Sequence, residues 1–540
     1  MSLSSLGAVN SSLGASSVAS AAQSDLAIAA QAQTQSSAAV TSYTPTPANA
    51  GGPLTYTMPV STGGASFATW EYANSDAVSQ VMAGDVTGKT LGTRFAGLGA
   101  ALLERFKTST SNFTQSVVIP PPVGQGPAKP NPAIAGSVTL DVTTASGTTV
   151  ELDMTSGSDG TLAVQEKSSG ALSAAQQTAL ANLAGAFQGA IDGLTGGANG
   201  NAPSVELSGL LQVDPTVLSS VNLQIQLQSE SAIPTTLNLQ VDSAQRTLAA
   251  RLPAGNVNIS VNLNNASVIG TQAQQKAALT SYLQQFQQEE SRDQGEDSNL
   301  LAAFRDGFTQ LNSNYPTAKV GAVASGLTVQ SDQDHALLTG LADFQASVTA
   351  TPVSSNSLKR AEVDQFAYQL SQQTTITGDS YANRTITQKQ SSSLIASYHQ
   401  WFAPPLTQLQ TTKLKLTQNY YYDQINDSAS ATTSIGYGKS KLVQASIAKS
   451  ASQSIHETKF VDENEVEDTT VTIADMETED LMSLLVPLQS EAPKDATKRQ
   501  QVLAAINAQV NLQSDPLLLP FDAALALVAP GGASGGVSSA

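Results

Sequence analysis

The sequence predicts an α+β fold: antiparallel β-meander sheets packed with amphipathic helices, preceded by a disordered Ser/Ala-rich N-terminus. Three observations predict it. Residues 221–227, 237–241 and 257–263 alternate strictly between aliphatic residues and amides or hydroxyls, as strands do when one face is buried and the other is wet. Leu180, Leu183, Phe187, Ile191 and Leu194 recur at three- and four-residue spacing, which sets them on one face of a helix. Residues 1 to 50 are mostly Ser, Ala, Gln and Gly and lack the aromatic content that offsets the entropy of ordering.

The elements follow in order. Ser4-Ser5-Leu6-Gly7-Ala8 is nearly repeated by Ser11-Ser12-Leu13-Gly14-Ala15, a low-complexity start with a short helix expected near 25–33. Phe95, Leu98, Leu102 and Phe106 predict a helix over 91–106. Six prolines with Gly124 and Gly126 then make 120–132 a semi-rigid spacer. Residues 137–142 and 148–154 alternate as strands, and Ser158-Asp159-Gly160 turns the chain into a third strand at 161–165. Ser173 and Gln176 have the spacing of a capping box before the helix that carries Leu180 to Leu194. After the three cleanest strands, Thr271 with Gln274 opens a helix bearing Leu279, Tyr282, Leu283 and Phe286. A second helix bears Leu301, Phe304, Phe308 and Leu311, and together they predict a helical hairpin.

Weaker alternation predicts polar strands at 365–374, 393–401, 412–418, 420–425, 434–437, 441–448, 454–460 and 469–474. Asp475 is the expected N-cap of a helix over 476–486, and a second helix is expected over 497–511. The chain therefore divides into a disordered segment (1–60), a small helical region (61–119), a Pro-rich linker (120–135) and an α+β domain (136–265). A helical hairpin with its connector (266–362), an extended polar β region (363–474), C-terminal helices (475–527) and a flexible tail (528–540) complete it.

Composition bounds the function. Only 13% of the 540 residues are charged, against about 25% in ordinary soluble domains, so the surface is built from amides and hydroxyls. The net charge of −18 argues against nucleic acid and anionic membrane surfaces as partners. There is no cysteine, hence no disulfide, thiolate metal site or cysteine nucleophile, as suits a chain exported unfolded or working outside the cell. No Lys or Arg precedes Lys89, which removes the charged start of a secretory signal. No stretch reaches the roughly 18 apolar residues of a transmembrane segment; the nearest, 516–529, contains Pro520 and Asp522.

Several catalytic spellings fail on context. Ala83-Gly84-Asp85-Val86-Thr87-Gly88-Lys89-Thr90 fits a relaxed phosphate loop, whose chemistry would rest on Gly88, Lys89 and Thr90, but 75–82 is interrupted by Asp76, Ser79 and Gln80 where a buried hydrophobic strand should precede the loop, and no convincing second strand ending in a magnesium-binding Asp appears. Gly436-Tyr437-Gly438-Lys439-Ser440 has Thr433 at the first-glycine position, and Gly532-Ala533-Ser534-Gly535-Gly536 lies in the tail with no helix to follow. His456-Glu457 has Phe460 where a zinc-protease helix needs its second His. With His335, His399 and His456 alone, no sequence-local metal triad exists. Asp462, Glu463, Glu465, Glu467 and Asp468 lack the glycine of a calcium loop, and read as a charged strand edge that resists edge-to-edge pairing.

The aromatic concentration is Tyr398, Trp401, Tyr420, Tyr421 and Tyr422. In a strand Tyr420 and Tyr422 share one face and Tyr421 takes the other. Core packing accounts for some rings; exposed ones would form a contact site for a glycan or protein partner.

Residues 172–227, with the capped Ala/Leu helix, a Gly-rich turn and the run from Leu211-Gln212-Val213-Asp214-Pro215 into a strand, resemble an uncharacterised group of proteobacterial proteins. The resemblance covers about a third of the chain and includes no catalytic motif. It implies a bacterial origin and a mixed α and β organisation, and carries no functional residue.

The expectation is a non-enzymatic bacterial protein without cofactor or metal, exported by a non-classical route. It would act as an extracellular or surface-associated structural or interaction component, with a protein or glycan partner or by self-association. The alternative is a type III or flagellar export substrate, of effector or length-control type, suggested by the Ser-rich start. A phosphate-loop nucleotide binder is the minor alternative.

Overall fold

The period-two segments pair into a single antiparallel sheet. The computed structural model describes residues 68–120, 129–199, 203–228, 234–292, 298–315, 327, 329, 331–402, 418–490 and 496–519, all within the unit Thr55–Ala540. The expected disordered segment at 1–60, the helix at 25–33, residues 121–128 of the Pro-rich linker, the strand expected at 412–418 apart from its last residue, and the tail lie outside the described residues.

The strands are β1 (Thr69–Trp70), β2 (Phe113–Val118), β3 (Gly136–Thr144), β4 (Thr149–Ser156), β5 (Leu162–Ser168), β6 (Leu218–Leu227), β7 (Thr235–Asp242), β8 (Gln245–Leu252), β9 (Gly255–Asn262), β10 (Asp343–Ala350), β11 (Gln365–Ser380), β12 (Asn383–Trp401), β13 (Tyr420–Gly438), β14 (Lys441–Val461) and β15 (Asn464–Asp480). They lie in the order β1-β2-β5-β4-β3-β6-β7-β8-β9-β10-β11-β12-β13-β14-β15, so β6 to β15 form an unbroken meander. The helices are α1 (Ala77–Asp85), α2 (Leu91–Arg94), α3 (Leu98–Glu104), α4 (Ala174–Asn182), α5 (Ala184–Thr195), α6 (Gln272–Arg292), α7 (Ser298–Leu311), α8 (Asp332–Ala336), α9 (Met482–Ser490) and α10 (Ala496–Ala508). The architecture is α+β, and one sheet runs through 136–265 and 363–474 alike.

Local chemistry places the helices. Ser173 and Gln176 form the expected reciprocal cap of α4, and Thr271 with Gln274 makes the same exchange ahead of α6. The helix expected over 91–106 is broken: Gly97, at φ 71°, separates α2 from α3. Its stripe survives the break, since Phe95, Leu98, Leu102 and Phe106 are all fully buried. Gly307 lets α7 lie close on the sheet, where a Cβ would come within 2.8 Å of Leu248 and 3.1 Å of Ile259.

Other expectations are corrected. The short strands expected at 420–425 and 434–437 are one strand, β13, and those at 441–448 and 454–460 are one strand, β14. The Ser/Ala/Thr stretch between the first pair alternates after all, with Ala429, Ala431 and Thr433 inward and buried. Asp475 caps no helix. It pairs with Ala451 inside β15, and Asp480 instead accepts from the Met482 N–H at 2.8 Å where α9 begins. Strands β1, β2, β8 and β10 were not expected; β8 hides its alternation by turning Arg246 inward.

Inward residues make an apolar cluster reaching from Trp70 to Ala451 and a second around Ile386, Ile435, Ile447, Leu485 and Ile506. Buried polar groups fasten irregular segments to this face. Arg246 donates to the carbonyls of Leu311, Ser313 and Asn314 just past α7, where helix carbonyls lack internal partners. Gln390 accepts from Tyr282 at 2.8 Å and from the Leu512 N–H at 2.9 Å, and donates to Val510 at 2.7 Å. Gln372 donates to Leu341 and Ala342. In each case a buried polar side chain stands in for a backbone partner.

Three carboxyl groups are buried deeply enough to hold protons near neutrality. Burial pushes Asp85 and Glu166 up to about 7, against the opposing pull of Arg94 and Arg105. Burial, then the neighbouring Asp427, pushes Glu289 up to about 8. Each group is protonated in the folded chain at a pH where the unfolded chain has lost the proton, so its stabilisation is complete below about pH 4.5 and fades as pH rises through 7 to 8. Lys449, which burial pushes down to about 8, adds no slope below that pH. The free energy of unfolding is expected to rise between pH 7.5 and pH 5.5, by an amount on the order of a few kcal/mol, and the thermal midpoint to rise with it. Glu289→Gln should flatten part of the slope, and a midpoint that falls over this interval would contradict the assignment.

Candidate contact site on the open face

Because strand side chains alternate, the helix-covered face of the sheet fixes the chemistry of the other. Successive registers trace one open-face row from Thr114 on β2 through Gln165, Asp153 and Thr139 to Gln224 on β6. The row continues through Asn238, Ala249, Asn258, Ser347, Gln369, Ser393 and Ser428 to Ser452 on β14. Ala474 on β15 ends it. All these residues are exposed or half-buried. The adjacent row includes Asn222, Gln240, Ser260, Ser371, Ser430 and Ser450, with hydroxyl pairs Ser371–Ser391 and Ser430–Ser450 at 2.8 Å. Between β6 and β14 neither row carries a charge. At about 4.8 Å per strand the row measures about 60 Å.

At one end of this face the aromatic residues meet. Register pairs Trp401 with Tyr420 and His399 with Tyr422 on the open face, while Tyr398 opposite Asp423 and Gln400 opposite Tyr421 belong to the helix-covered face. His399 lies 4.8 Å from the Tyr422 ring, 5.2 Å from Tyr420 and 5.8 Å from Trp401, with the Trp401 ring stacked on it. Trp401 keeps 50% of its surface exposed, whereas Tyr420 is fully buried and Tyr398 nearly so. Tyr421 packs against Phe402 on the other face. The structure thus brings Trp401, Tyr420 and Tyr422 together and sends Tyr398 and Tyr421 elsewhere.

The connection from β10 to β11 closes over the cluster. His399 Nδ1 meets Asp364 at 2.5 Å and Nε2 meets Glu362 at 3.1 Å. Tyr420 donates its hydroxyl to the same Glu362 oxygen at 2.8 Å. Burial and that carboxylate push the Tyr420 hydroxyl well above its ordinary value. Lys359 reaches the other Glu362 oxygen at 3.4 Å and sits 3.2 Å from the centre of the Phe460 ring. Ser355 donates to the second Asp364 oxygen. Tyr422 donates to the Val363 carbonyl at 3.2 Å.

Chemically this is a clamp. The imidazole is 1% exposed and both ring nitrogens are engaged, so it has no free position from which to exchange a proton with a ligand. What stays available is the outer face of Trp401, a flat apolar plate beside a neutral hydrogen-bonding field. Sequence reasoning missed His399, Glu362 and Asp364 as a group, because the acids come from a connection more than thirty residues away. The only sequence signal is a histidine alternating with aromatics on one strand.

The other candidate motifs fall apart spatially. Helix α1 runs up to Asp85 and Thr90 caps α2 by accepting from Thr93, so a helix stands where a phosphate loop needs its strand. Asp462 and Glu463, at φ 50° and 67°, form the tight turn between β14 and β15. Among the described residues no group of three or more His, Asp or Glu converges to hold a metal ion. A cavity of about 540 Å³ between the start of α6 and the residues after α7 is lined by Ile269, Gln275, Lys276, Asn312 and Tyr315 among others, with no carboxylate or histidine. No helix among the described residues is long and apolar enough to cross a membrane.

No protein-family model matches the chain, and neither the curated proteins nor the solved structures contain one detectably similar to it.

Replacing His399 with Ala leaves two partly buried carboxylates without their shared partner, at a cost of about 2 kcal/mol. Trypsin should then cut after Lys359 and Arg360 up to about thirtyfold faster, and Trp401 emission should shift in a Trp70→Phe background. Unchanged cleavage would show that the imidazole does not hold the connection down.

Proposed function

We propose that the protein is a non-enzymatic contact protein that works outside the cytoplasm, at the cell surface or beyond it. It displays the open face of its sheet to a neutral, hydrogen-bonding partner, a glycan or a protein. The observation that supports this most is the uncharged row from Gln224 to Ser452, crossing nine strands side by side. A face of amides and hydroxyls neither steers ions nor supplies acid or base; it forms many individually weak hydrogen bonds over a broad area. Trp401 adds an aromatic anchor at one end, of the kind that dominates contact energetics. The absence of cysteine in the sequence supports a place outside the cytoplasm.

The test combines location with surface chemistry. Fractionation of the source cells should find the native protein at the surface or in the medium. Within the surface fraction, Trp401→Ala and the paired change Ser391→Lys with Ser428→Lys should release the protein into solution without lowering its unfolding temperature. A wholly cytoplasmic protein, or retention unaffected by either variant, would sink the proposal.

A further inference from the structure

The two edges of the sheet are finished differently. At one end β1 is only two residues long, a blunt edge that offers nothing to pair with. At the other, β15 runs for 17 residues, and among the described residues no strand lies beyond it. Its free backbone groups can be identified. The Leu481 N–H donates to the Ala445 carbonyl at 2.9 Å, which makes that opposed pair a hydrogen-bonded one. Antiparallel pairs alternate, so in the register Ser446–Asp480 to Lys459–Glu467 the odd-numbered residues of β15 bond to β14. Thr470, Thr472 and Ala474 therefore point free N–H and C=O groups away from the sheet, while the outward Met476 N–H donates to Asp475 Oδ1 at 2.8 Å.

The side chains fit the same use. Thr469 to Ala474 read Thr-Thr-Val-Thr-Ile-Ala, six uncharged residues, five of them β-branched and of high strand propensity, with neither Pro nor Gly. Val471 and Ile473 lie on the helix-side face, opposite Ile455 and Gln453, yet are 56% and 43% exposed. A further strand would cover them. Acids flank the neutral stretch on both sides: Glu465, Glu467 and Asp468 before it, Asp475, Glu477, Glu479 and Asp480 after it, with no Lys or Arg in the strand.

We infer that β15 is a docking edge that accepts an extended basic protein segment, one with Lys or Arg at both ends and β-branched residues between, as an added antiparallel strand. Charge chooses this occupant over a second copy of the chain. Antiparallel pairing of β15 with itself sets the acids of one end against those of the other, and like charges in opposed positions are destabilising. The acids thus block self-pairing at neutral pH and attract the complementary strand, which is how edges are given specificity. The inference goes beyond the open face, since it concerns backbone groups on the rim, and it can fail or succeed independently.

The probes are two synthetic peptides, Lys-Lys-Thr-Val-Thr-Ile-Thr-Val-Lys-Lys and its counterpart with Glu for every Lys, titrated into the full chain at physiological salt. The basic peptide should bind and slow amide exchange at Thr470, Thr472 and Ala474; the acidic one should not bind. Thr472→Pro, which removes an outward N–H at an edge where Pro is tolerated, should weaken binding at least tenfold with little change in unfolding temperature. Glu465→Lys with Glu479→Lys should weaken the basic peptide and favour the acidic one. Binding indifferent to Thr472→Pro overturns the inference, as do equal binding of both peptides, no binding, protection of those amides in the free protein, or β15-dependent dimers at pH 7.

Discussion

Alternation of side chains along a strand is the constraint from which the rest of this molecule follows. Helices cover one face of the sheet only, so each inward Leu, Ile or Val obliges its neighbours to face water. On β6 the inward Val221, Leu223 and Ile225 are buried and the intervening Asn222 and Gln224 are not. Strands β2 to β14 repeat that division in register. From β6 to β14 the two central outward rows are uncharged because their positions are filled by Asn, Gln, Ser, Thr and Ala rather than by the Lys and Glu common on soluble sheets.

The inner face is unusual in a related way. Where α6 and the 510–512 segment meet β11 and β12, the interface holds Gln372, Gln388 and Gln390 alongside the aromatic group of Tyr282, Phe286, Phe304 and Tyr368. Buried amides of this kind are tolerated only when their partners are in place. Here they are used to bind irregular backbone: Gln388 accepts from the Thr339 N–H at 2.9 Å and Thr433 donates to the Leu337 carbonyl at 2.7 Å. The same principle holds the connection over the aromatic cluster, where Glu362 and Asp364 close on His399 from either side. Polar residues in this chain act as fasteners inside and as a contact surface outside.

Much of this was legible in the sequence. The strict alternation of 221–227, 237–241 and 257–263 identified β6, β7 and β9, and the Ser173–Gln176 spacing gave the cap of α4. Long-range order was not. That β3 pairs with β6 while β4 and β5 lie on its far side is decided by tertiary packing, which no local window contains. Small inward residues such as Ala429 and Ala431 concealed the continuity of β13, and Arg246 concealed β8. Of the five aromatics picked out, the sequence placed Tyr420 and Tyr422 on one face correctly. It could not show that Trp401 and His399 join them, because that depends on the register between β12 and β13.

The central claim is one-sided burial, and a chain without cysteine lets it be tested directly by single-cysteine labelling in the native state. Cysteine replacing Gln224, Gln369 or Ser428 should react with a small thiol reagent at nearly the rate of a free thiol. Cysteine replacing the adjacent Leu223, Leu370 or Ala429 should react only after unfolding. Equal reactivity within each pair, or protection of the first set, would contradict a sheet with one open face.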